Sequence, residues 1–212
     1  MEIRTLVLNP FDENTYVIHD PVTLEAAIID PGCYNPAEEM ELEEYVTASG
    51  LTVKYLINTH CHIDHIFGNN FVKKTWSPEY LVPEKDLFLL EGGTNIARQF
   101  GLEMEHVEAP DGFYDENTLL TLGNIAIKPL YTPGHSPGEF CLYIEQEGVV
   151  IAGDVLFNGS IGRTDLGHGD HDLLINSIRT KLLTLPDETV VYPGHGEPTT
   201  IGQERVSNPF LV

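Results

Sequence analysis

Short apolar runs alternate with longer stretches of helical spacing along the 212 residues, the pattern of a mixed α/β chain. The pattern predicts strands over residues 3–9, 15–19, 26–30, 53–58, 126–131, 140–145, 149–152 and 189–192. Helices are predicted over 36–49, 84–100 (with Gly92-Gly93 weakening its middle) and 171–185, and a short one near Ile66 or Asn69. Early strands run together and later ones are separated by helices, so the rhythm is not strict βαβ alternation. No Ser/Gly linker or low-complexity segment divides the chain, and a single domain over residues 1–212 is expected.

Four of these segments end alike. "YLINTH", "LYTPGH", "VVIAGD" and "VVYPGH" each run from an apolar strand through one or two small or turn residues to His60, His135, Asp154 and His195. A glycine before the last residue permits a sharp backbone turn. The carboxyl ends of buried strands are where α/β folds gather ligand-binding groups. The expectation is that all four residues point into one site.

The first of these ends opens the densest stretch of the chain, "NTHCHIDHIFGNN", with His60, His62, Asp64 and His65 inside six positions. Imidazole suits zinc, iron and similar ions better than magnesium or calcium. Six residues cannot place four side chains around one ion, because their backbones diverge too quickly. The spacing therefore divides the donors, with His60 and His62 for one ion and Asp64 and His65 for another. His135 can complete the first set and leave a coordination position open, as in catalytic zinc sites. His195 can join the second, and Asp154 can bridge two ions at the spacing of roughly 3.5–4 Å typical of two-metal centres. The expected cofactor is thus two divalent ions, zinc first, with iron or manganese also compatible. A lone histidine is more often a core or surface residue than a ligand, but the dense cluster joined to three strand ends is a compound signal. His19, His106, His168 and His171 lack this grammar and are expected at the surface.

Charge narrows the partners. Acidic residues outnumber basic ones 33 to 11, for a formal net charge of −22. Such a chain repels phosphate backbones, so neither a nucleic acid nor an anionic membrane surface is an expected partner. It also raises a difficulty for an anionic substrate, which two bound cations would remove. Three cysteines (Cys33, Cys61, Cys141) follow no disulfide framework and fit a reducing compartment. The N-terminus has no basic segment followed by a long apolar run, and no stretch approaches the roughly 20 apolar residues of a membrane span. A cytoplasmic location is expected; the oligomeric state is open.

At these residues the sequence resembles the metallo-β-lactamase superfamily. "THCHIDH" matches its T-H-x-H-x-D-H motif, and "TPGHSPG", "AGD" and "YPGHG" follow in the family's order. The resemblance implies an α/β fold, the αβ/βα four-layer sandwich with two mixed β-sheets. It implies His60, His62, His135 and Asp154 at one metal, and Asp64, His65, Asp154 and His195 at the other. Within the superfamily, "DVLFNGSIGRTDL" and "YPGHGEPTTIGQERVSNPFLV" look like the short bacterial members of the glyoxalase II (hydroxyacylglutathione hydrolase) group. The chain ends at Val212, without the helical extension that contacts glutathione in longer members.

The implied activity is hydrolysis of a small-molecule thioester such as S-D-lactoylglutathione by a metal-bridging hydroxide. Asp64 and Asp154 are the catalytic acids to consider for proton relay, although both are better used as ligands. Thr59 is expected to orient a ligand, and Cys61 to pack away from the site. Arg163 either holds a substrate carboxylate or fixes its own loop through Asp165, the second being favoured. Two alternatives stand beside this reading. One is a persulfide dioxygenase of the same fold, which would use one iron on the equivalents of His60, His135 and Asp154. The other is a non-catalytic metal-binding protein.

Overall fold

The computed structural model describes all 212 residues and divides into two compact units. The first comprises Met1–Phe113 with Thr121–Ile125, the second Tyr114–Leu120 with Ala126–Val212. No helix is long and apolar enough to cross a membrane.

In the first unit, β1 (Glu2–Leu8) and β2 (Glu13–His19) form an antiparallel hairpin, and β3 (Glu25–Ile29) pairs antiparallel with β2. The chain then crosses through α1 (Pro36–Ala48) to β4 (Thr52–Ile57), parallel to β3. Next come α2 (Asn69–Trp76), β5 (Glu79–Val82), α3 (Leu87–Gln99) and β6 (Gly112–Phe113), with β5 and β6 extending the parallel part. The sheet order is β1 to β6 in sequence. Asn35 starts α1 by accepting from the Ala37 and Glu38 amides, with Pro36 in the first turn where its missing N–H costs nothing. Leu6, Val17, Ile28, Leu56 and Val82 of the strands pack against Leu42 and Val46 of α1, Val72 of α2 and Leu89 and Leu90 of α3. Each such burial stabilises the unit by about 1.5–3 kcal/mol.

The helix predicted over 84–100 forms as α3 and runs unbroken through Gly92-Gly93; Gly93 is buried against Ile66, and a Cβ there would meet the Ile66 side chain at 3.3 Å. One expectation changes. His19 was expected at the surface but is buried in β2, 3.4 Å from Glu2 across the hairpin.

The second sheet has the order β14-β13-β10-β9-β8-β7. Its strands begin with β7 (Leu120–Leu122) and β8 (Ile125–Tyr131), then β9 (Phe140–Ile144), β10 (Val149–Gly153) and a small hairpin of β11 (Leu156–Phe157) and β12 (Ser160–Ile161). After α4 (His171–Ser177), β13 (Val190–Pro193) returns parallel to β10, and β14 (Thr199–Thr200) leads into α5 (Ile201–Ser207). The predicted helix over 171–185 is shorter than expected: α4 widens into a π-turn at Ile178–Leu182, closed by Leu183 N–H donating to the Ile178 carbonyl at 2.8 Å. Leu130, Val150, Ala152 and Val191 form a core with Leu174, Ile178, Leu182 and Ile201. Both sheets mix parallel and antiparallel strands, so the α/β class with two mixed sheets is what the chain builds.

Candidate metal centre

Each unit carries its own share of the predicted ligands. In the first, β4 delivers the chain to Asn58 and Thr59, and a 3₁₀ turn over Ile63–His65 follows His62. Two side chains hold this loop by its backbone. The Asn9 amide donates to the Asp64 carbonyl at 2.9 Å, and the Asn58 amide to the His65 carbonyl at 2.8 Å. The His60 ring lies 4.9 Å from that of His62 and 4.1 Å from that of His65. Oδ2 of Asp64 is 3.7 Å from Nε2 of His65.

Asp30 organises this cluster. It sits at the end of β3 in the left-handed region, a conformation aspartate tolerates better than most residues. Its two oxygens accept from the amide and the hydroxyl of Thr59, both at 2.6 Å. With its proton committed to Asp30, the Thr59 hydroxyl can only accept from His60, whose Nδ1 is 3.2 Å away. That fixes the proton on Nδ1 and makes Nε2 the basic, metal-ligating nitrogen. Nδ1 of His65 lies 3.2 Å from Oδ2 of Asp30, which places its Nε2 on the Asp64 side. The donor atoms of Asp30, His60 and His65 lie within 4.8 Å of one another. Beneath them, Glu13 is fully buried and accepts from the Thr15 hydroxyl at 2.9 Å. Burial pushes its carboxyl well above the usual range, with His65 opposing the shift and Asp30 adding to it.

The second unit repeats the logic with different parts. His135 follows Gly134, whose φ of +140° and place against the backbone of Leu174 in α4 admit no side chain; a Cβ would lie 2.3 Å from the Leu174 nitrogen. Nδ1 of His135 is 2.6 Å from the Arg163 carbonyl oxygen, which can only accept. The proton is therefore on Nδ1, and Nε2 is again the ligating nitrogen, 3.5 Å from Oδ2 of Asp154. Nε2 of His195 is 3.6 Å from that same oxygen. Asp154 itself is held by its amide, which donates to the buried carboxylate of Glu139 at 2.8 Å.

These donor sets fit transition-metal ions. Imidazole nitrogens with fixed tautomers and carboxylate oxygens, gathered at buried strand ends, are what zinc or iron requires. The cysteines do not compete for this role. Cys33, Cys61 and Cys141 are buried and unpaired with one another, and burial pushes each thiol up; at Cys61 the carboxylates of Asp86 and Asp30 add to it. The Arg163 guanidinium is clasped in two hydrogen bonds by Asp165, at 2.7 and 3.0 Å, while its carbonyl serves His135. Sequence reasoning missed Asp30, Glu13 and Glu139. Asp30 had a signal: "AAIID" is an apolar strand ending in aspartate, the same grammar as the ligand strands.

Two mixed α/β units that offer oriented histidines and aspartates from strand ends define a metallo-hydrolase fold. The chain belongs to the metallo-beta-lactamase superfamily, whose family model matches residues 8–195 and so contains every predicted ligand. Among curated relatives it is 40% identical to hydroxyacylglutathione hydrolase GloC of Haemophilus influenzae, over all of this chain and 98% of that one. Among solved structures it is similar to BLEG-1, described as a B3 metallo-beta-lactamase (TM-score 0.91, 38% identity, all of both chains). It is also similar to TTHA1623 in a di-iron-bound form (TM-score 0.86, 34% identity, 98% of this chain and all of that one).

Proposed function

We propose that the protein is a metal-dependent thioester hydrolase acting in the cytoplasm on a small hydroxyacyl thioester such as S-D-lactoylglutathione. The observation that carries this reading is the pair of locked tautomers at His60 and His135, which ready Nε2 in each unit for a metal. Full-length similarity to a hydroxyacylglutathione hydrolase supports the choice of substrate. By family membership, His60, His62, His135 and Asp154 would hold one ion, and Asp64, His65, Asp154 and His195 the other. When bound, such ions lower the pKa of a coordinated water to about 7 and polarise a carbonyl oxygen. Zinc is the first choice, with iron or manganese compatible.

The chain's own residues supply orientation. Thr59 and the Arg163 carbonyl hold the histidine rings, and Asp30 and Glu139 anchor the segments that carry Thr59 and Asp154. Asp64 and Asp154 act as ligands rather than as proton carriers. A thiol with an ordinary pKa near 8.5 leaves as thiolate without a general acid, so a thioester suits a site whose titratable groups are used as ligands.

The test is hydrolysis of S-D-lactoylglutathione, followed by release of free thiol, with metal content measured on the same sample. Two ions per chain and chelator-sensitive thiol release are expected. One iron per chain with oxygen uptake on glutathione persulfide would replace the hydrolase by the dioxygenase. Turnover of a chromogenic β-lactam without thioester hydrolysis would move the reading toward the activity in the BLEG-1 description.

A further inference from the structure

The first unit carries a pocket of about 420 Å³ that none of the predicted ligands lines. Tyr34, Phe67, Phe71, Met104 and Val107 form its apolar wall. Glu39, Glu103, Glu105 and Glu108 also line it, with Lys74 as the one cationic side chain. A cavity of this size is in the range of small-molecule sites, which run from roughly 300 to 1,000 Å³.

One wall is a strap, residues 102–110, which has no regular secondary structure but is firmly tied down. The Asn70 side chain grips it twice, donating to the His106 carbonyl at 2.9 Å and accepting from the Glu108 amide at 2.8 Å. The Glu103 amide donates to the Tyr34 hydroxyl at 3.3 Å. Met104 is anchored in the core, against Gly93 of α3. The backbone that carries the strap's glutamates is thereby held beside the aromatic wall, where Tyr34 and Phe67 meet edge to face at 4.9 Å.

The chemistry of the lining selects the ligand. Aromatic faces and carboxylates together attract cations and repel anions, including any acidic thioester. The carboxylates come from two elements, Glu39 from α1 and the other three from the strap, so a ligand with more than one ammonium group matches them better than a single charge. The apolar wall calls for an alkyl body between those charges. We propose that this pocket binds an aliphatic polyamine.

The test is titration calorimetry of spermidine into the full-length, metal-loaded protein at 0.15 M salt, where the Debye length of about 8 Å suppresses general attraction to an acidic surface. One saturable site per chain is expected, with no heat from neutral 1,6-hexanediol. The triple variant Glu103→Gln, Glu105→Gln, Glu108→Gln alters exposed side chains and should weaken binding at least tenfold with an unchanged melting temperature. Phe71→Leu should weaken it several-fold. Absence of heat, or weak multivalent binding that both variants leave intact, overturns the proposal and leaves only diffuse attraction to the net charge. Thioester hydrolysis is measured separately, so neither result depends on the other reading.

Discussion

Gly162 is the position where the smallest change should do the most damage. It lies between the two residues of the second unit that the metal reading needs most. A Cβ placed on it would sit 1.8 Å from the carbonyl oxygen of Asp154 and 3.1 Å from the Cβ of His135. Backbone must therefore give way by about 1.6 Å before the Asp154 contact reaches the 3.4 Å at which ordinary packing begins. Overpacking of a tight site costs about 1–3 kcal/mol, and a clash against backbone belongs at the upper end of that range. For a chain of this length, 3 kcal/mol corresponds to a fall of roughly 6–12 °C in melting temperature. Metal–ligand distances tolerate deviations of only about 0.2 Å, so a displaced Asp154 should also lose its ion. Gly162→Ala is thus expected to melt lower and to retain less metal. Gly159→Ala is the control. It has a φ of +70° and open space around it, so it carries only the left-handed backbone penalty of about 1–2 kcal/mol and should keep its metal. The measurements are calorimetric melting with and without chelator and metal content after desalting. A Gly162→Ala protein with wild-type melting and full metal would refute the contact on which this rests.

Thr59→Val removes the hydroxyl that links Asp30 to His60, and should cost about 10–100-fold in metal affinity, read by competition with a chromophoric chelator. Stripping the metals with a chelator should abolish thiol release, and added zinc should restore it. All three thiols should resist a disulfide reagent in the native protein and react fully in guanidinium, since burial both hides them and disfavours the thiolate. Acid stability has a definite sign. The Asn124 and Val22 amides hold the Asp20 carboxyl below its ordinary value, and the Gly123 amide and Lys54 do the same for Glu25. Carboxyls with depressed folded-state values stabilise the protein above their unfolded values near 4 and lose that contribution as pH falls through the folded ones. Melting temperature should accordingly drop below pH 4, and less steeply in an Asp20→Asn, Glu25→Gln variant.

The fold was legible where burial is one-sided or complete over several residues. Residues 140–145 and 149–152 read as strands because their apolar runs are bounded by turn residues, and they became β9 and β10. β5, "EYLV", escaped notice because four residues between a helix and a proline offer too little pattern to distinguish a strand from a loop. The same holds for α5, seven residues with only Ile201 and Glu204 buried, whose one local sign is the Thr200 cap. The π-turn after α4 has no sequence signature at all. His19 was misplaced for a different reason: it ends a strand whose every residue is buried, and the Glu2 carboxylate 3.4 Å from it lies on the neighbouring strand.

The site divides along a similar line. A metal ligand must be one of very few residue types, so ligands announce themselves by composition: histidines and aspartates after apolar strands are rare enough to notice. The groups that orient them are under no such constraint. Thr59 fixes the His60 proton only because Asp30, 29 positions earlier, takes the hydroxyl hydrogen, and nothing in the sequence joins the two. His135 is fixed by a backbone carbonyl, which every residue possesses; that it belongs to Arg163 says nothing about arginine. The guanidinium beside it, the group a sequence reader would single out, is occupied by Asp165. Substituting Arg163 should therefore disturb the loop through Asp165 while leaving the His135 hydrogen bond chemically possible. Substituting Gly162, a residue without a side chain, should disturb the metal.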